Sequence, residues 1–265
     1  EQELSNFQDE ITKIMPQILN TAPLSEFSSK INVYSILNPQ TTFSCSANNQ
    51  EDRLPCSIYD IQGLIEDVCN VSFSENDIPT IITSPNIYNG NSPNAGHTGL
   101  IDLSPSNSGA FIHEFGHQFA GLSDEYIQSA NSFVEIYNHN VDTAGCSKWC
   151  SGELNTQSPC YSYYTSWLEC INPYLSQWQS HKTELFTCFN EISQQTKQSL
   201  GYDLNECNLG KNCYPGTGCY VGSISVNMFR SIKCCIMDGP ADCINFGPFT
   251  ENYLRNTINR VLYLS

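Results

Sequence analysis

The stretch His113-Glu114-Phe115-Gly116-His117-Gln118-Phe119-Ala120-Gly121-Leu122-Ser123-Asp124-Glu125-Tyr126 decides how this chain is read. One helical turn separates the two histidines, so on a helix both imidazoles leave the same face and can share a cation. Glu114 follows the first histidine directly. Its carboxylate then sits beside a bound metal rather than on it, where it can take a proton from water. With only 5 histidines in 265 residues, a chance match is rare, although two surface histidines on an amphipathic helix would give the same pentapeptide. Gly121 comes one turn after His117, and a glycine there can take left-handed backbone and end the helix. The chain can then turn back and bring Leu122-Ser123-Asp124-Glu125 under the metal. A carboxylate is a competent zinc ligand, and both Asp124 and Glu125 qualify. Glu125-Tyr126 can equally serve as groups that orient an imidazole from behind.

The run His-Glu-Phe-Gly-His-x-Phe-x-Gly-Leu-x-Asp-Glu-Tyr resembles the zinc site of the IgA-peptidase-like family of metallopeptidases, members of the metzincin group. Far downstream, Cys235-Ile236-Met237-Asp238 resembles that family's Met-turn, followed by Phe246-Gly247-Pro248 and a closing helix. The resemblance implies a third ligand three residues beyond the glycine, which lands on Asp124, with Glu125 as the alternative. It also implies that Met237 forms a hydrophobic base beneath the metal without ligating it. Taken alone, a methionine signals ordinary core packing. One departure is clear: relatives commonly carry Tyr-Arg-Pro before the Met-turn, and this chain has Phe229-Arg230-Ser231. If that tyrosine stabilises an oxyanion, its role is vacant here or passes to Tyr220 or Tyr126.

Composition narrows the function classes. A net charge of −16 with 11 basic residues argues against nucleic acid or an anionic membrane surface as partner. No window of about 18 apolar residues is present, so no membrane span is expected. The 14 cysteines suggest a disulfide framework and a secreted protein, with seven bridges as the simplest account. Only Cys45, Cys56 and Cys69 precede the motif, and Cys45 with Cys56 is a plausible local pair. A second, structural zinc site built from Cys146, Cys150, His139 or His181 is the competing account of the cysteines, although no paired Cys-x-x-Cys set exists. The chain opens Glu1-Gln2 without Met, which fits removal of a signal or pro-segment. Asn70-Val71-Ser72 is a possible glycan acceptor.

Along the chain, Phe7, Ile11, Ile14 and Ile18 fall at helical spacing, with Pro16 inside the pattern. Alternation over 31–37 predicts a strand, 38–58 a loop, 59–69 a helix and 78–83 a further strand. A loop over 86–99, containing a rim histidine at His97, leads to a short strand at 100–103. Metzincins place an edge strand here, and such an edge can align an extended peptide over the metal. Ser104-Pro105 or Ser108 can cap the ligand-bearing helix. Residues 127–215 read as a disulfide-braced insertion whose aromatics pack a small core, with helical stretches over 164–199. Thr250 begins a terminal helix with Leu254, Ile258 and Leu262 on one face.

The helix-strand-helix-strand order, with the resemblance, predicts an α/β fold: a metzincin-like catalytic domain with a mixed, mostly parallel sheet, plus an irregular disulfide-rich C-terminal subdomain. Residues 1–126 would carry the sheet and zinc helix, and 127–265 the insertion, Met-turn and terminal helix. The expected function is a secreted zinc endopeptidase acting on a protein or glycoprotein, with Zn²⁺ on His113, His117 and Asp124 or Glu125, and Glu114 as general base. The alternative is a catalytically silent, zinc-stabilised extracellular binding module. Nothing in the residues selects a substrate or an oligomeric state.

Overall fold

The structure is a computed structural model that describes residues 2–33, 80–82, 101–103, 111–126, 139–142, 145–223, 228–238 and 243–264. The chain forms two compact units, Glu1–Gly121 with Leu254–Ser265, and Leu122–Tyr253.

In the first unit, helix α1 (Gln2–Asn20) runs through Pro16 and buries Ile14 and Ile18, one turn apart. These pack with Phe111 at the start of helix α2 (Phe111–Ala120), with Ile31 and Phe115 at the margin. Of the pattern read from the sequence, Ile14 and Ile18 are buried and Ile11 is half-buried. A 3-10 segment (Leu24–Lys30) follows α1 and buries Leu24. Strand β1 (Thr80–Ile82) pairs in parallel with β2 (Ile101–Leu103), in register Thr80↔Ile101 to Ile82↔Leu103.

The second unit is held by helices and disulfides. Helix α3 (Tyr161–Ile171) and helix α4 (Lys182–Leu200) are joined through a 3-10 stretch (Asn172–Ser180). On α4, Leu185, Cys188, Phe189, Ile192 and Thr196 recur at helical spacing and are buried, as are Trp167 and Ile171 on α3. Cys170–Cys188 staples the two helices, Cys160–Cys207 ties the start of α3 to a downstream loop, and Cys146–Cys219 and Cys150–Cys213 close the loops before α3 onto the chain after α4. Helix α4 ends at Gly201, whose φ of 85° is left-handed and whose amide donates to the Lys197 carbonyl. Strands β3 (Val141–Asp142), β4 (Tyr220–Val221) and β5 (Phe229–Arg230) make an antiparallel sheet in the order β3-β5-β4. Helix α5 (Pro248–Leu264) closes the chain with Leu254 and Ile258 buried.

This architecture corrects the predicted fold. It is not a metzincin-like domain with a mostly parallel sheet: helices dominate, the parallel ladder is three residues long, and the three-stranded sheet is antiparallel. The physical reason lies in what joins distant segments. In the second unit, disulfides and helix packing bring the segments together, so its strands need be only two residues long. The disulfide-rich character of that part of the chain is as read.

Cys146 and Cys150 are both in disulfides, which removes the second zinc site built on them. The aromatics of the insertion fill its core. Tyr164 contacts Trp167 and Phe229, Trp167 meets Phe189 edge-on, and the Trp149 indole donates to the Gly218 carbonyl. Full pairing of the cysteines does not hold: Cys235 is a buried free thiol among the described cysteines. No helix among the described residues is long and apolar enough to cross a membrane. The predicted Cys45–Cys56 loop, the helix over 59–69, the Asn70 sequon, His97, the Ser104 and Ser108 caps and most of the strand over 31–37 lie outside the described residues.

Candidate metal centre

Helix α2, which carries both histidines, is held at both ends. Near its start, the Ile112 amide, one of the donors that a first helical turn leaves without an intrahelical acceptor, donates to the Gln17 side-chain oxygen from α1 at 3.4 Å. At its other end, Gly121 has φ 59° and its amide donates to the His117 carbonyl at 2.9 Å. No atom lies within 4 Å of where a Cβ at Gly121 would be, so the left-handed turn, not crowding, is what favours glycine.

Between these ends, the Nε2 atoms of His113 and His117 face one another at 3.1 Å, with the ring planes 88° apart. Two imidazole nitrogens bound at about 2.0–2.1 Å to a tetrahedral zinc stand about 3.3 Å apart, close to this spacing. The chain that continues from α2 through the Gly121 turn returns Asp124 to the pair. One donor atom from each of His113, His117 and Asp124 lies within 4.8 Å of the others. Two imidazoles and a carboxylate are an open zinc set by donor chemistry, and the residues present fit the ion. Glu114 is 6% exposed on the same helix.

Glu125 turns elsewhere. Its side chain is fully buried, its Oε1 accepts a 3.1 Å hydrogen bond from Asn140, and the Cys235 thiol is a further partner. Burial pushes its carboxyl up to about 7, against the lowering influence of the Cys235 hydrogen bond, the Arg230 charge and Asn140. The same burial, with Glu125 beside it, holds the Cys235 thiol well above its ordinary range. The geometry thus separates two adjacent carboxylates that sequence alone left as rivals.

The segment around Asp124 is gripped through its backbone. Asn140 accepts from the Ser123 amide at 2.9 Å and donates to the Ser123 carbonyl at 2.6 Å. The Ser223 hydroxyl donates to the Asp124 carbonyl at 2.9 Å, and the Glu125 amide donates to the Met237 carbonyl at 2.6 Å. Arg230, 3% exposed, donates to the Glu125 carbonyl at 2.6 Å and to Asp238 at 2.8 Å. Desolvation raises the Asp238 carboxyl to about 6 despite that ion pair.

Met237 is completely buried and belongs, through its carbonyl, to the support of the Asp124 segment. Phe229 is spent on packing: its ring is 4% exposed and stacks into the second unit's core. Of the two phenols read as substitutes for the missing tyrosine, Tyr126 is exposed beside Glu125, and Tyr220 sits on β4 paired with Arg230, its phenol raised by burial. A second donor cluster, Cys234, Asp238 and Cys243, is no metal site, because its two thiols form a disulfide.

Sequence reasoning missed Asn140 and Ser223 and gave Arg230 and Cys235 no role. Asn140 and Ser223 stand in no recognisable motif. Arg230 and Cys235 lie in the downstream segments singled out by resemblance, which was their only signal. No protein-family model and no curated protein matches the chain.

Proposed function

We propose that this chain is a zinc-dependent endopeptidase, and that its relatives by motif are the IgA-peptidase-like metallopeptidases. The observation that carries the reading is the convergence of His113, His117 and Asp124 on one point. Zinc held there by these three residues would polarise a scissile carbonyl and lower the pKa of a bound water toward neutrality.

The chain's own residues supply the rest. Glu114 takes the proton from the attacking water on its side-chain carboxylate and later delivers it to the leaving amine nitrogen. The two imidazoles present Nε2 as donor atoms. Asp124 contributes the single negative charge of the ligand set, and Glu125 stays out of it, protected by Asn140 and Cys235. The substrate class is a protein or glycoprotein. The five described disulfides support an oxidising, extracellular location, since such bridges are rare in reducing compartments.

One observation favours a second reading. Phe229 is buried where relatives commonly carry a tyrosine, which would suit a silent, zinc-stabilised binding module. Zinc analysis of the purified chain, paired with digestion of a peptide library and of glycoproteins, separates the two. One zinc per chain with cleavage supports the endopeptidase. One zinc without cleavage supports the module. No zinc after refolding in its presence removes both.

A further inference from the structure

We infer that Asn140 is the positioning residue of the third metal ligand, gripping the Ser123 backbone before Asp124 and the Glu125 side chain after it so that the Asp124 carboxylate meets the two imidazoles. The inference rests on the zinc reading above and concerns how that site is assembled.

The case begins with where a loop ligand gets its direction. His113 and His117 are aimed by α2, whose hydrogen-bonded turns fix both side chains at once. Asp124 lies past the helix end and has no ladder to aim it. Its carboxylate is directed by the backbone angles of residues 123–125, and those are set by what holds the polar groups of that segment. The Ser123 amide, the Ser123 carbonyl, the Asp124 carbonyl, the Glu125 amide and the Glu125 carbonyl each have a partner, contributed by Asn140, Ser223, Met237 and Arg230.

Asn140 stands apart within this set. It is completely buried, and it takes both polar groups of Ser123 as a neighbouring strand would. Its second amide hydrogen goes to Glu125 Oε1, so one side chain touches the residue before Asp124 and the residue after it. Both N–H donors of the amide are thereby used. Asn140 itself is a turn residue directly before β3 (Val141–Asp142), which is paired to β5, so the amide is presented from a turn anchored at the end of a strand. Aspartate at this position would keep the acceptor but lose both donors and set a charge against Glu125. Alanine would remove the partner that Asn140 gives to the Ser123 amide, the Ser123 carbonyl and Glu125 Oε1.

A residue that orients a ligand from behind typically changes metal affinity by about 10- to 100-fold when removed. A thermodynamic cycle tells that role from general destabilisation. Full-length wild type, Asn140→Ala, Asp124→Ala and the double variant would be titrated with zinc against a chromophoric chelator. The d–d absorption of the Co²⁺ forms would report ligand geometry, and thermal unfolding of the metal-free proteins would report stability separately.

The expected result is a zinc affinity about 10- to 100-fold weaker for Asn140→Ala than for wild type, with an altered Co²⁺ band. In the Asp124→Ala background, Asn140→Ala should change zinc affinity no further, even though thermal stability still falls. If Asn140→Ala does not fold, the near-isosteric Asn140→Asp takes its place in the same cycle, with the same result expected. An equal loss in both backgrounds, or an Asn140 variant with wild-type affinity and an unchanged Co²⁺ spectrum, overturns the inference. Wild type that binds neither zinc nor Co²⁺ overturns the metal reading beneath it, a result distinct from either of those.

Discussion

The amide of Glu125 donates a 2.6 Å hydrogen bond to the carbonyl of Met237. It joins the residue after Asp124 to the downstream Cys-Ile-Met segment, while the Glu125 side chain is buried against Asn140 and Cys235. Asp124, its neighbour, lies with the imidazoles. The two carboxylates should therefore part company on mutation. Asp124→Ala is expected to lose zinc on dialysis against a weak chelator, and Glu125→Gln, which keeps the shape and the Oε1 acceptor, is expected to retain about one zinc per chain. Elemental analysis after dialysis decides it, and the opposite pattern would hand the ligand role to Glu125.

The thiol beside Glu125 gives a second expectation. Cys235 is 1% exposed and its thiol is held well above its ordinary range by burial, so thiolate is scarce and access is closed. Iodoacetamide should leave it unmodified in the native protein and label it quickly in guanidinium without reductant. A non-reducing peptide map should return Cys146–Cys219, Cys150–Cys213, Cys160–Cys207, Cys170–Cys188 and Cys234–Cys243. Finding Cys235 in a disulfide, or labelled as fast in the native state as in the unfolded one, would contradict this arrangement.

These two results differ in how far they were legible in the sequence. The imidazole pair and the turn at Gly121 were readable because helix geometry is local: a spacing of one turn fixes a shared face, and a glycine marks the end. The stripes Ile14 with Ile18 and Leu254 with Ile258 were readable for the same reason. The clamp on residues 123–125 was not, because Asn140, Ser223, Arg230 and Met237 reach it across long stretches of chain and leave no period behind. The sheet was misread for a related cause. The three-residue strands β1 and β2 fall within the stretches read as strands at 78–83 and 100–103, but the two-residue strands β3, β4 and β5 are too short to display alternation, and the disulfides that take over their joining role reveal their number in the sequence but not their pairing.

Within the first unit, Arg255 on α5 forks onto Glu26 through bonds of 2.7 and 2.6 Å. The Arg255 hydrogen bond holds the Glu26 carboxyl below its usual 4.5. A depressed folded pKa means that the contribution to stability is present above pH 4.5 and is lost as pH falls through the lower folded value. Both groups are partly exposed, so solvent screening limits the coupling to about 1 kcal/mol or less. A double-mutant cycle with Glu26→Gln and Arg255→Ala, followed by chemical denaturation, should show that coupling at pH 7 in low salt. It should fade as the pH is taken below the usual carboxylate range. A coupling unchanged at pH 2 would mean that the fork is not what joins the two segments.

In the proposed mechanism, catalysis turns on Glu114. A glutamine there keeps the size of the side chain, its place on α2 and the ligands on either side, and removes only the ability to accept a proton. Glu114→Gln should therefore bind zinc and peptide as the wild type does while turnover falls by about 10²- to 10⁴-fold. The loss should appear in kcat, with KM little changed, if the carboxylate acts, as proposed, on the attacking water rather than on the bound peptide. Cleavage of a library-selected peptide would be followed for both proteins at matched zinc content. Equal kcat in the two would remove Glu114 from the proton path and with it the mechanism proposed for this site.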